Sequence, residues 1–345
     1  MKTGLKKIAV IVGIATLGMA GTAGSAWAQA LEKQKVSIAV GGKNLFYYLP
    51  LTIAEQQGYF KDEGLQVEIS DFAGGAKALQ ALVGGSADVV SGAYEHTINM
   101  QAKGQMITAF VLQGRAPQIV FGVSNKTMPN YKSIADLKGK KIGVTAPGSS
   151  TNIVANFVLA KGGLKPTDVS FIGVGTAAGA LSALRSGQID AISNLDPVVT
   201  MLEEKNDIRV IADTRTLKDT NDLFGGPMPA ASLYTTDAFL KKNPNTAQAL
   251  TNAMVRALKW LQTAGPSDII KVVPESYQLG DRALYLATFT KVREALSPDG
   301  RFPDAGPQTA LKTLQAFEPE LAGKSIDLSK TFTNELVKNA NAKLK

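Results

Sequence analysis

Three consecutive hydroxyl residues stand where an apolar strand turns into a helix, and their position suits the binding of an anion. They are Ser149, Ser150 and Thr151, within GKKIGVTAPGSSTNIVANFVLA (residues 139–160), in which strand-type residues precede the turn and apolar residues at helical spacing follow it. The first N–H groups of such a helix have no partner inside it, and the helix dipole adds positive charge there. The turn is therefore predicted to bind an anion, with simple capping of the helix as the alternative.

Three other side chains at predicted strand ends set the alternatives for ligand chemistry. Arg115 ends a strand, where its guanidinium would pair with a carboxylate or sulfonate unless it lies on the surface at a hinge. Glu95 would repel an anion or pair with an amine if it faces a cleft. In the first turn of its helix, which we favour, it complements the helix dipole. His96 is expected in packing or on the helix surface.

The composition excludes several classes of chemistry. The chain of 345 residues has no Cys and a single His, which excludes disulfides, zinc–thiolate sites, Cys nucleophiles and multi-His metal sites. No Gly-x-Ser-x-Gly elbow marks a hydrolase. Lys and Arg are dispersed, without interleaved aromatic residues, which argues against a nucleic-acid surface. We therefore expect no catalytic residue, no metal, no cofactor and no nucleic-acid partner.

The first 28 residues have the pattern of a secretory signal peptide. A basic start with Lys2, Lys6 and Lys7 precedes a short apolar segment, and small residues lead to Ala-Trp-Ala at 26–28. The segment is too short and too rich in Gly to favour a membrane anchor. No Cys follows the cleavage site, so a lipid anchor is not expected. The mature chain, with a charge of 8 − 3 = +5, is predicted to be a soluble periplasmic protein.

Strand and helix patterns alternate along most of the chain, which is typical of a parallel sheet with crossover helices. The alternation occupies residues 36–112 and again 139–213, and the chain beyond 234 is mostly helical. The segments 118–124 and 228–234 are predicted to cross between two lobes. The predicted fold class is therefore α/β.

An internal repeat supports two lobes built on one plan. Residues 78–91 match residues 180–193 at seven positions, with a constant offset of 190 − 88 = 102. Corresponding strand ends of two such units are expected to face a common cleft. Asp88 and Asp190, which begin the repeated strands, are interpreted as turn-forming residues and not as acids of a site.

A longer motif resembles a known family. The pattern Y-L-P-L-x-I-A-x-x-x-G-Y-F-x-x-E-G-L-x-V-E spans residues 48–68, and later pieces at 79–88, 137–149 and 184–190 agree with it. They are similar to the periplasmic substrate-binding proteins of ABC importers of the sulfonate/taurine/nitrate type. The resemblance implies a type II periplasmic binding protein fold, in which two Rossmann-like lobes are joined by two crossover strands and hold a ligand between them.

The resemblance also implies domain limits and a ligand site. Lobe I would combine residues 29–120 with 232–345, and lobe II would be residues 121–231. The ligand would lie at turns that follow strand ends. At least one of the three aromatic residues 46–48 must pack into the core. The ligand-binding residues expected from the resemblance are Gly42, Asn44, Phe46, Tyr47, Gly74, Gly75, Ala93, Tyr94, Glu95, Arg115, Ser149, Ser150, Thr151, Thr176, Asn194 and Asp196.

These features together predict the soluble solute-binding component of an ABC transporter. It would be a monomer that delivers a small-molecule ligand to a permease in the inner membrane. The expected ligand is a small organic anion, such as an alkane sulfonate, an aryl sulfonate or an aromatic carboxylate. Arg115 and helix N-termini would neutralise it, and Phe46 or Tyr47 would cover it as the lobes close.

Two alternatives stay open at this point. The first keeps the importer role with a neutral or amine-bearing ligand, such as a thiamine pyrimidine precursor, paired with Glu95 or Asp196. The second is an exported enzyme that uses Glu95 and His96 as acid and base.

Overall fold

The computed structural model describes residues 30–278 and 280–344, so the predicted signal peptide (1–28) lies outside the described residues. Within this part of the chain, the strands form two separate five-stranded sheets. We call the part built around the first sheet lobe I and the part around the second sheet lobe II. No helix in the described ranges is long and apolar enough to cross a membrane.

The sheet of lobe I has four strands in one direction and one against them. It contains β1 (Lys35–Val40), β2 (Gln66–Asp71), β3 (Val89–Ala93), β4 (Ile107–Leu112) and, from later in the chain, β10 (Ala231–Thr236). Their order across the sheet is β2-β1-β3-β10-β4, and β10 runs antiparallel to both of its neighbours.

The sheet of lobe II repeats this arrangement. It contains β5 (Ile119–Ser124), β6 (Lys141–Val144), β7 (Ser170–Gly173), β8 (Ala191–Leu195) and β9 (Ile208–Asp213). The order is β7-β6-β8-β5-β9, with β6 parallel to β7 and β8, and β5 antiparallel to β8 and β9.

The antiparallel strand of each sheet, β5 or β10, comes from a segment predicted to cross between lobes. Ile119 pairs with Leu195 at the carboxyl end of β8, and Ala231 pairs with Ala93 at the carboxyl end of β3. A chain that leaves one sheet at its carboxyl edge enters the other sheet at the carboxyl edge too. The entering strand must therefore run antiparallel to the other strands of that sheet. The α/β two-lobe prediction is confirmed, but each sheet is mixed and not parallel.

Helices connect the strands and cover the sheets. The helices around lobe I are α1 (Leu49–Gln56), α2 (Tyr59–Asp62), α3 (Gly75–Val83) and α4 (Glu95–Ala102); those around lobe II are α5 (Ser150–Lys161), α6 (Ala178–Ser186), α7 (Val198–Glu204) and α8 (Leu217–Phe224). The remaining helices follow β10 and are α9 (Asp237–Lys242), α10 (Pro244–Thr263), α11 (Pro266–Val272), α12 (Arg282–Val292), α13 (Gly306–Gln315), α14 (Pro319–Ala322) and α15 (Glu335–Lys343).

The long helix α10 attaches the C-terminal part of the chain to lobe I. Pro244 stands at its first position, where the missing N–H is tolerated. Apolar residues at helical spacing, from Ala247 to Leu261, are buried, and the helix packs against α1, α2 and α15. Lobe I is thus built from the N-terminal and the C-terminal parts of the chain. The exact domain limits remain a prediction.

The repeated aspartates do the same local task in both lobes. Asp88 Oδ2 accepts a hydrogen bond from the backbone N–H of Ser37 at 2.9 Å, and Asp190 Oδ2 accepts one from the backbone N–H of Lys141 at 3.0 Å. Each carboxylate thus fixes the neighbouring parallel strand, which agrees with a structural role for both.

Candidate ligand-binding site

The strand-end turns of the two lobes meet in one cleft between the sheets. The backbone N–H of Ala76 in lobe I donates to Ser149 Oγ of lobe II at 3.0 Å. Asn44 Nδ2 donates to the Thr176 carbonyl at 2.9 Å. Residues that lie far apart in the sequence and were expected at the site are therefore brought together, with the lobes in direct contact.

Two glycines permit this close approach. A Cβ on Gly74 would lie 2.8 Å from Ala146 Cβ of the opposite lobe. A Cβ on Gly42, whose φ of +102° already disfavours other residues, would lie 2.5 Å from Thr176 Cγ2. Larger residues at these positions would hold the lobes apart.

Glu95 is the side chain in this cleft that most needs an explanation. β3 ends at Ala93 and α4 begins at Glu95, so the carboxylate lies in the first helical turn at the carboxyl edge of the sheet. It is 0% exposed, and no other residue among 30–278 and 280–344 forms a hydrogen bond with either of its oxygens; its own backbone N–H lies near and favours the charged form. Burial raises its pKa from 4.5 to about 7. Buried polar groups are almost always satisfied, so this carboxylate is a candidate for ligand contact.

Tyrosines surround this carboxylate. Burial, and secondly the charge of Glu95, raises the pKa of Tyr47 well above its usual value of 10, and the nearby Ser150 hydroxyl offsets part of this shift. Burial and Glu95 also raise the pKa values of Tyr48 and Tyr234, so all three phenols stay protonated. The Tyr47 hydroxyl forms no hydrogen bond of ordinary geometry within the described part of the chain, although the Ser150 hydroxyl lies near it, so Tyr47 is a second candidate for ligand contact.

His96 lies beside Glu95 but points to a different neighbour. Its Nδ1 is 2.9 Å from the Tyr234 hydroxyl. Burial lowers its pKa from 6.5 to about 4, although the nearby Gly148 carbonyl of lobe II acts in the opposite direction. The imidazole is therefore neutral at physiological pH and contributes no positive charge to the cleft.

Two of the aromatic residues predicted at the site pack against other aromatic rings of the core. The ring of Phe46 lies 4.4 Å from that of Tyr285 in α12, measured between centroids. The Tyr94 hydroxyl bonds to Thr331, and its ring lies 5.2 Å from that of Phe302. Of the three residues 46–48, Phe46 meets the expectation that at least one belongs to the core.

Arg115 is not brought together with the strand-end turns. Its Nε donates to the Glu294 carbonyl at 2.9 Å, and its backbone N–H donates to the Ala295 carbonyl. These bonds hold the guanidinium against the segment that follows α12. The predicted contact between Arg115 and an anion gains no support from this placement.

Asp196 is occupied within lobe II. Its Oδ1 accepts from the backbone N–H and the hydroxyl of Thr200 at 2.8 and 2.7 Å, and its Oδ2 lies 3.4 Å from Arg215 Nη1. Arg215 is 1% exposed and also pairs with Glu203 and Asp213. Burial raises the pKa of Asp196 in spite of this cation. Only its backbone carbonyl reaches lobe I, where it accepts from the N–H of Phe46 at 3.4 Å.

The remaining predicted residues contribute backbone or local contacts. Thr151 Oγ1 lies 2.9 Å from Thr145 Oγ1, within lobe II. Asn194 Nδ2 donates to the Gly175 carbonyl at 3.1 Å. Gly75 begins α3 beside His96 and Ser149, and Ala93 ends β3 one residue before Tyr94.

Two buried glutamines that were not among the predicted residues lie at the two ends of the crossover between β4 and β5. Gln113 follows β4 and Gln118 precedes β5, so each stands at a sheet edge where the other lobe begins. Gln113 Oε1 and both amide atoms of Gln118 have no hydrogen-bond partner in the ranges that the structure describes. No spacing or motif in the sequence marks them. Their position directly outside a strand is the one available signal.

The cleft thus offers a carboxylate, a tyrosine hydroxyl and amides, but no basic side chain among the residues described above. No group of three or more His, Asp or Glu residues in the described ranges could hold a metal ion. A small molecule that donates hydrogen bonds would satisfy these unpartnered acceptors.

Comparison with known proteins places the chain in a family. A sequence model described as the NMT1-like family matches residues 29–273, more than half of the chain. The chain belongs to the NMT1-like family. A solved structure of a protein from Bordetella bronchiseptica RB50 is 66% identical, covers 92% of this chain and 99% of its own, and superposes with a TM-score of 0.90.

More distant structures identify the fold of this NMT1-like chain. The alkanesulfonate-binding protein SsuA from Xanthomonas axonopodis pv. citri is 20% identical, with 88% of this chain and 100% of that chain covered and a TM-score of 0.66. The periplasmic nitrate-binding protein NrtA from Synechocystis PCC 6803 is 16% identical, with 92% and 90% covered and a TM-score of 0.71. The predicted resemblance is confirmed, and the fold is that of periplasmic binding proteins.

Curated relatives of the NMT1-like chain are also distant. A protein of Bacillus subtilis (strain 168) is 25% identical over 280 residues, which cover 77% of this chain and 78% of the relative. A 4-amino-5-hydroxymethyl-2-methylpyrimidine phosphate synthase of Saccharomyces cerevisiae is 25% identical over 238 residues, which cover 67% of this chain and 68% of the relative.

Proposed function

We propose that this NMT1-like protein is the periplasmic solute-binding component of an ABC importer, and that its ligand is a small molecule that donates hydrogen bonds or carries an amine. The observation that carries the proposal is Glu95, which is buried in the cleft with both oxygens unpartnered. The protein captures its ligand between two closing lobes and passes it to a permease without changing it.

The importer role is supported by the fold and by the place of the cleft. Solved structures with this fold include sulfonate-binding and nitrate-binding proteins. In this chain, the strand-end turns of both lobes meet around buried polar groups, as a ligand enclosed by closing lobes requires. The predicted signal peptide agrees with a place outside the cytoplasm.

The ligand class follows from electrostatics. Two unit charges of the same sign about 4 Å apart repel by about 4 kcal/mol at an effective dielectric constant near 20. An anion next to Glu95 would meet this repulsion or would require a protonated carboxyl. A ligand that donates N–H groups instead satisfies the carboxylate, in a bond worth about 1.5–3 kcal/mol. The amine-bearing alternative is therefore favoured over the organic anion.

The side chains expected to hold an anion are engaged elsewhere. Arg115 donates to the Glu294 carbonyl. Ser149 accepts a hydrogen bond across the cleft from the N–H of Ala76, and Thr151 bonds to Thr145. The helix N-terminus at Ser150 still contributes a partial positive charge, but Glu95 opposes it.

The compound in the name of one relative agrees with this ligand chemistry. The yeast relative is named for a phosphate of 4-amino-5-hydroxymethyl-2-methylpyrimidine, which carries an amino group on an aromatic ring. In this chain, Tyr47 and Tyr48 lie edge to face beside Glu95, with ring centroids 4.9 Å apart. A flat aminated ring would find aromatic contact and a hydrogen-bond acceptor together.

A thermal-shift panel tests the proposal with matched pairs of compounds. 4-Amino-2-methylpyrimidine is compared with 2-methylpyrimidine, and benzylamine with benzenesulfonate and benzoate. A compound present at 100 times its Kd adds about 2.7 kcal/mol to the free energy of unfolding. We expect stabilisation by the aminated members. Stabilisation by the sulfonate and carboxylate alone would overturn the assigned ligand class.

Mass spectrometry of the bound compound separates binding from catalysis. The compound that stabilises the protein is incubated with it and then recovered. Intact recovery agrees with a transport protein. Conversion that is lost in Glu95→Gln and His96→Gln variants would instead favour the exported-enzyme alternative.

A further inference from the structure

The side chain of Gln118 is buried at the cleft end of a crossover without any protein partner. It is 1% exposed, and neither its amide nitrogen nor its amide oxygen has a hydrogen-bond partner in residues 30–278 and 280–344. An unsatisfied buried amide costs about 1–3 kcal/mol. Such groups are rare, and a bound ligand, an ordered water or a functional role usually explains them.

The backbone at Gln118 is also unusual. Its φ is +58°, in the left-handed region that residues other than Gly seldom adopt. Its N–H donates to the Thr214 carbonyl at 3.0 Å, which holds this conformation in place. Backbone conformations of this kind are strained and concentrate at functional sites.

The register of the sheets places Gln118 at the cleft. Ile119, the next residue, pairs with Leu195 at the carboxyl end of β8. Gln118 therefore lies just beyond the sheet, at the edge that faces lobe I. A Cβ on Gly114 would be 3.5 Å from Gln118 Nε2, so the amide lies against the crossover between β4 and β5.

Gln113 lies at the lobe I end of the same crossover. It follows β4, whose last residue Leu112 pairs with Ser232 near the carboxyl end of β3. Its Nε2 donates to Ser91 Oγ at 2.9 Å, which fixes the side chain, and its Oε1 has no partner in the described part of the chain. One oriented acceptor and one complete free amide thus lie on the same crossover.

We propose that Gln118, with Gln113 at the other end of the same crossover, forms a polar floor of the cleft that binds an edge of the ligand carrying a hydrogen-bond donor next to an acceptor. This inference rests on the proposed function and deepens it. A free carboxamide pairs with such an edge through two parallel hydrogen bonds, as found in amides, amidines and aminopyrimidines. The preferred ligand is therefore a small molecule with an N–C–N–H or O–C–N–H edge, whereas a simple alkylamine could pair with Glu95 alone.

The test compares a Gln118→Met variant with the wild-type protein. Met has a similar volume and no hydrogen-bonding amide. Calorimetry with 4-amino-2-methylpyrimidine is expected to show a 10- to 100-fold weaker Kd in the variant. Benzylamine, which has no acceptor beside its donor, should bind both proteins with affinities within about threefold.

Unfolding of the ligand-free proteins by urea provides the second readout. Since the amide has no protein partner, Gln118→Met should unfold at the same or a higher urea concentration than the wild type. Gln248→Met is the matched control. Gln248 Nε2 bonds to Asn252 and to the Leu336 carbonyl, so this variant should lose stability and keep its affinity.

The outcomes separate this inference from the proposed function. If the wild type binds neither the aminopyrimidine nor benzylamine, both proposals are overturned. If it binds the aminopyrimidine and Gln118→Met binds it equally well, only the polar floor is overturned. Loss of stability in ligand-free Gln118→Met would assign the amide a structural role and would also overturn it.

Discussion

Two related strand ends, one in each lobe, treat a carboxylate in opposite ways. In lobe I, the turn after β3 carries Glu95, which is buried without a partner in the described ranges. In lobe II, the turn after β8 carries Asp196, which is bound by Thr200 and by the buried guanidinium of Arg215. The repeat offset of 102 takes position 94 to 196, so the two acids are one residue out of register. The same plan thus supplies a free acid on one side and a neutralised acid on the other.

The different environments of Glu95 and Asp196 follow from one cation, Arg215, which lobe II has and lobe I lacks at the corresponding position. The same offset takes Arg215 to 215 − 102 = 113, and Gln113 stands there. Arg215 binds Asp196, Glu203 and Asp213 in lobe II, whereas Gln113 binds Ser91 in lobe I and offers no charge. One lobe therefore pairs its acid with a cation, while the other leaves its acid unpaired within the described part of the chain.

Removal of the cation gives the largest expected effect. Arg215→Met leaves the buried carboxylate of Asp196 without its cation, and breaking a buried ion pair costs about 3–5 kcal/mol in the free energy of unfolding. Urea denaturation measures this loss. Arg185→Met is the control, because Arg185 pairs with Asp207 and is 41% exposed; it should cost less than about 1 kcal/mol. Equal losses in the two variants would contradict the comparison.

The dependence of stability on pH distinguishes Glu95 from its neighbour. The pKa of Glu95 is 4.5 unfolded and about 7 folded. The folded state therefore binds more protons, and stability from this group falls as pH rises from about 4.5 to 7. The pKa of His96 is 6.5 in the unfolded state and about 4 in the folded state, so the stability from this group rises as pH increases from about 4 to 6.5.

These opposed trends nearly cancel in the wild type. Glu95→Gln should leave the His96 trend alone, so that stability rises with pH between about 4 and 6.5. The gap between variant and wild type should grow by up to about 3 kcal/mol toward pH 8. Urea titrations at several pH values measure it. Parallel curves for the two proteins would show that Glu95 does not titrate in this way.

Closure of the lobes over the free acid is tested at Gly74. A Cβ there would lie 2.8 Å from Ala146 Cβ across the cleft, and overpacking of this kind costs about 1–3 kcal/mol. Gly74→Ala should weaken ligand binding by about 5- to 100-fold and abolish the ligand-induced compaction seen by small-angle scattering. Gly323→Ala, where a Cβ would have no atom within 4 Å, is the control. Normal compaction in Gly74→Ala would rule out this closed contact.

A single hydrogen bond between the lobes gives the smallest effect. Ser149→Ala removes the acceptor for the N–H of Ala76 and should weaken ligand binding by about 1 kcal/mol, near fivefold. Ser86→Ala removes a Ser hydroxyl that bonds to the Ala81 carbonyl within lobe I, and should leave affinity unchanged. Calorimetry measures both variants. Equal affinities would indicate that the Ser149 contact is absent from the liganded form.

The parts predictable from sequence are those that depend on local patterns. Alternating strand and helix segments predict the two lobes, and the turns at Gly74 and Ser149 could be located because ligands gather at strand ends. The direction of β5 and β10 depends on where a crossover enters a sheet, which no local pattern records. The neighbours of each aromatic side chain depend on tertiary packing: the ring of Phe46 packs on Tyr285, whereas the ring of Tyr47 packs on Tyr48.

The charge balance of the cleft was the least predictable feature. Arg115 and Arg215 are both single arginines near strand ends, and nothing nearby indicates that one bonds to a carbonyl and the other to three acids. Gln113 and Gln118 are unremarkable in sequence because an amide becomes informative only when it is buried without a partner. Burial of this kind is a property of the assembled lobes.

The most direct test of the account is a calorimetric titration of the wild type and Glu95→Gln with 4-amino-5-hydroxymethyl-2-methylpyrimidine at pH 8, with Glu55→Gln as the control. Glu55 bonds to Lys43 in lobe I and is partly exposed. We predict that Glu95→Gln alone loses 10-fold or more in affinity, the equivalent of about 1.5–3 kcal/mol for a charge-assisted hydrogen bond. Equal affinities of the wild type and Glu95→Gln would contradict the claim that the free acid of lobe I is the group that the ligand binds.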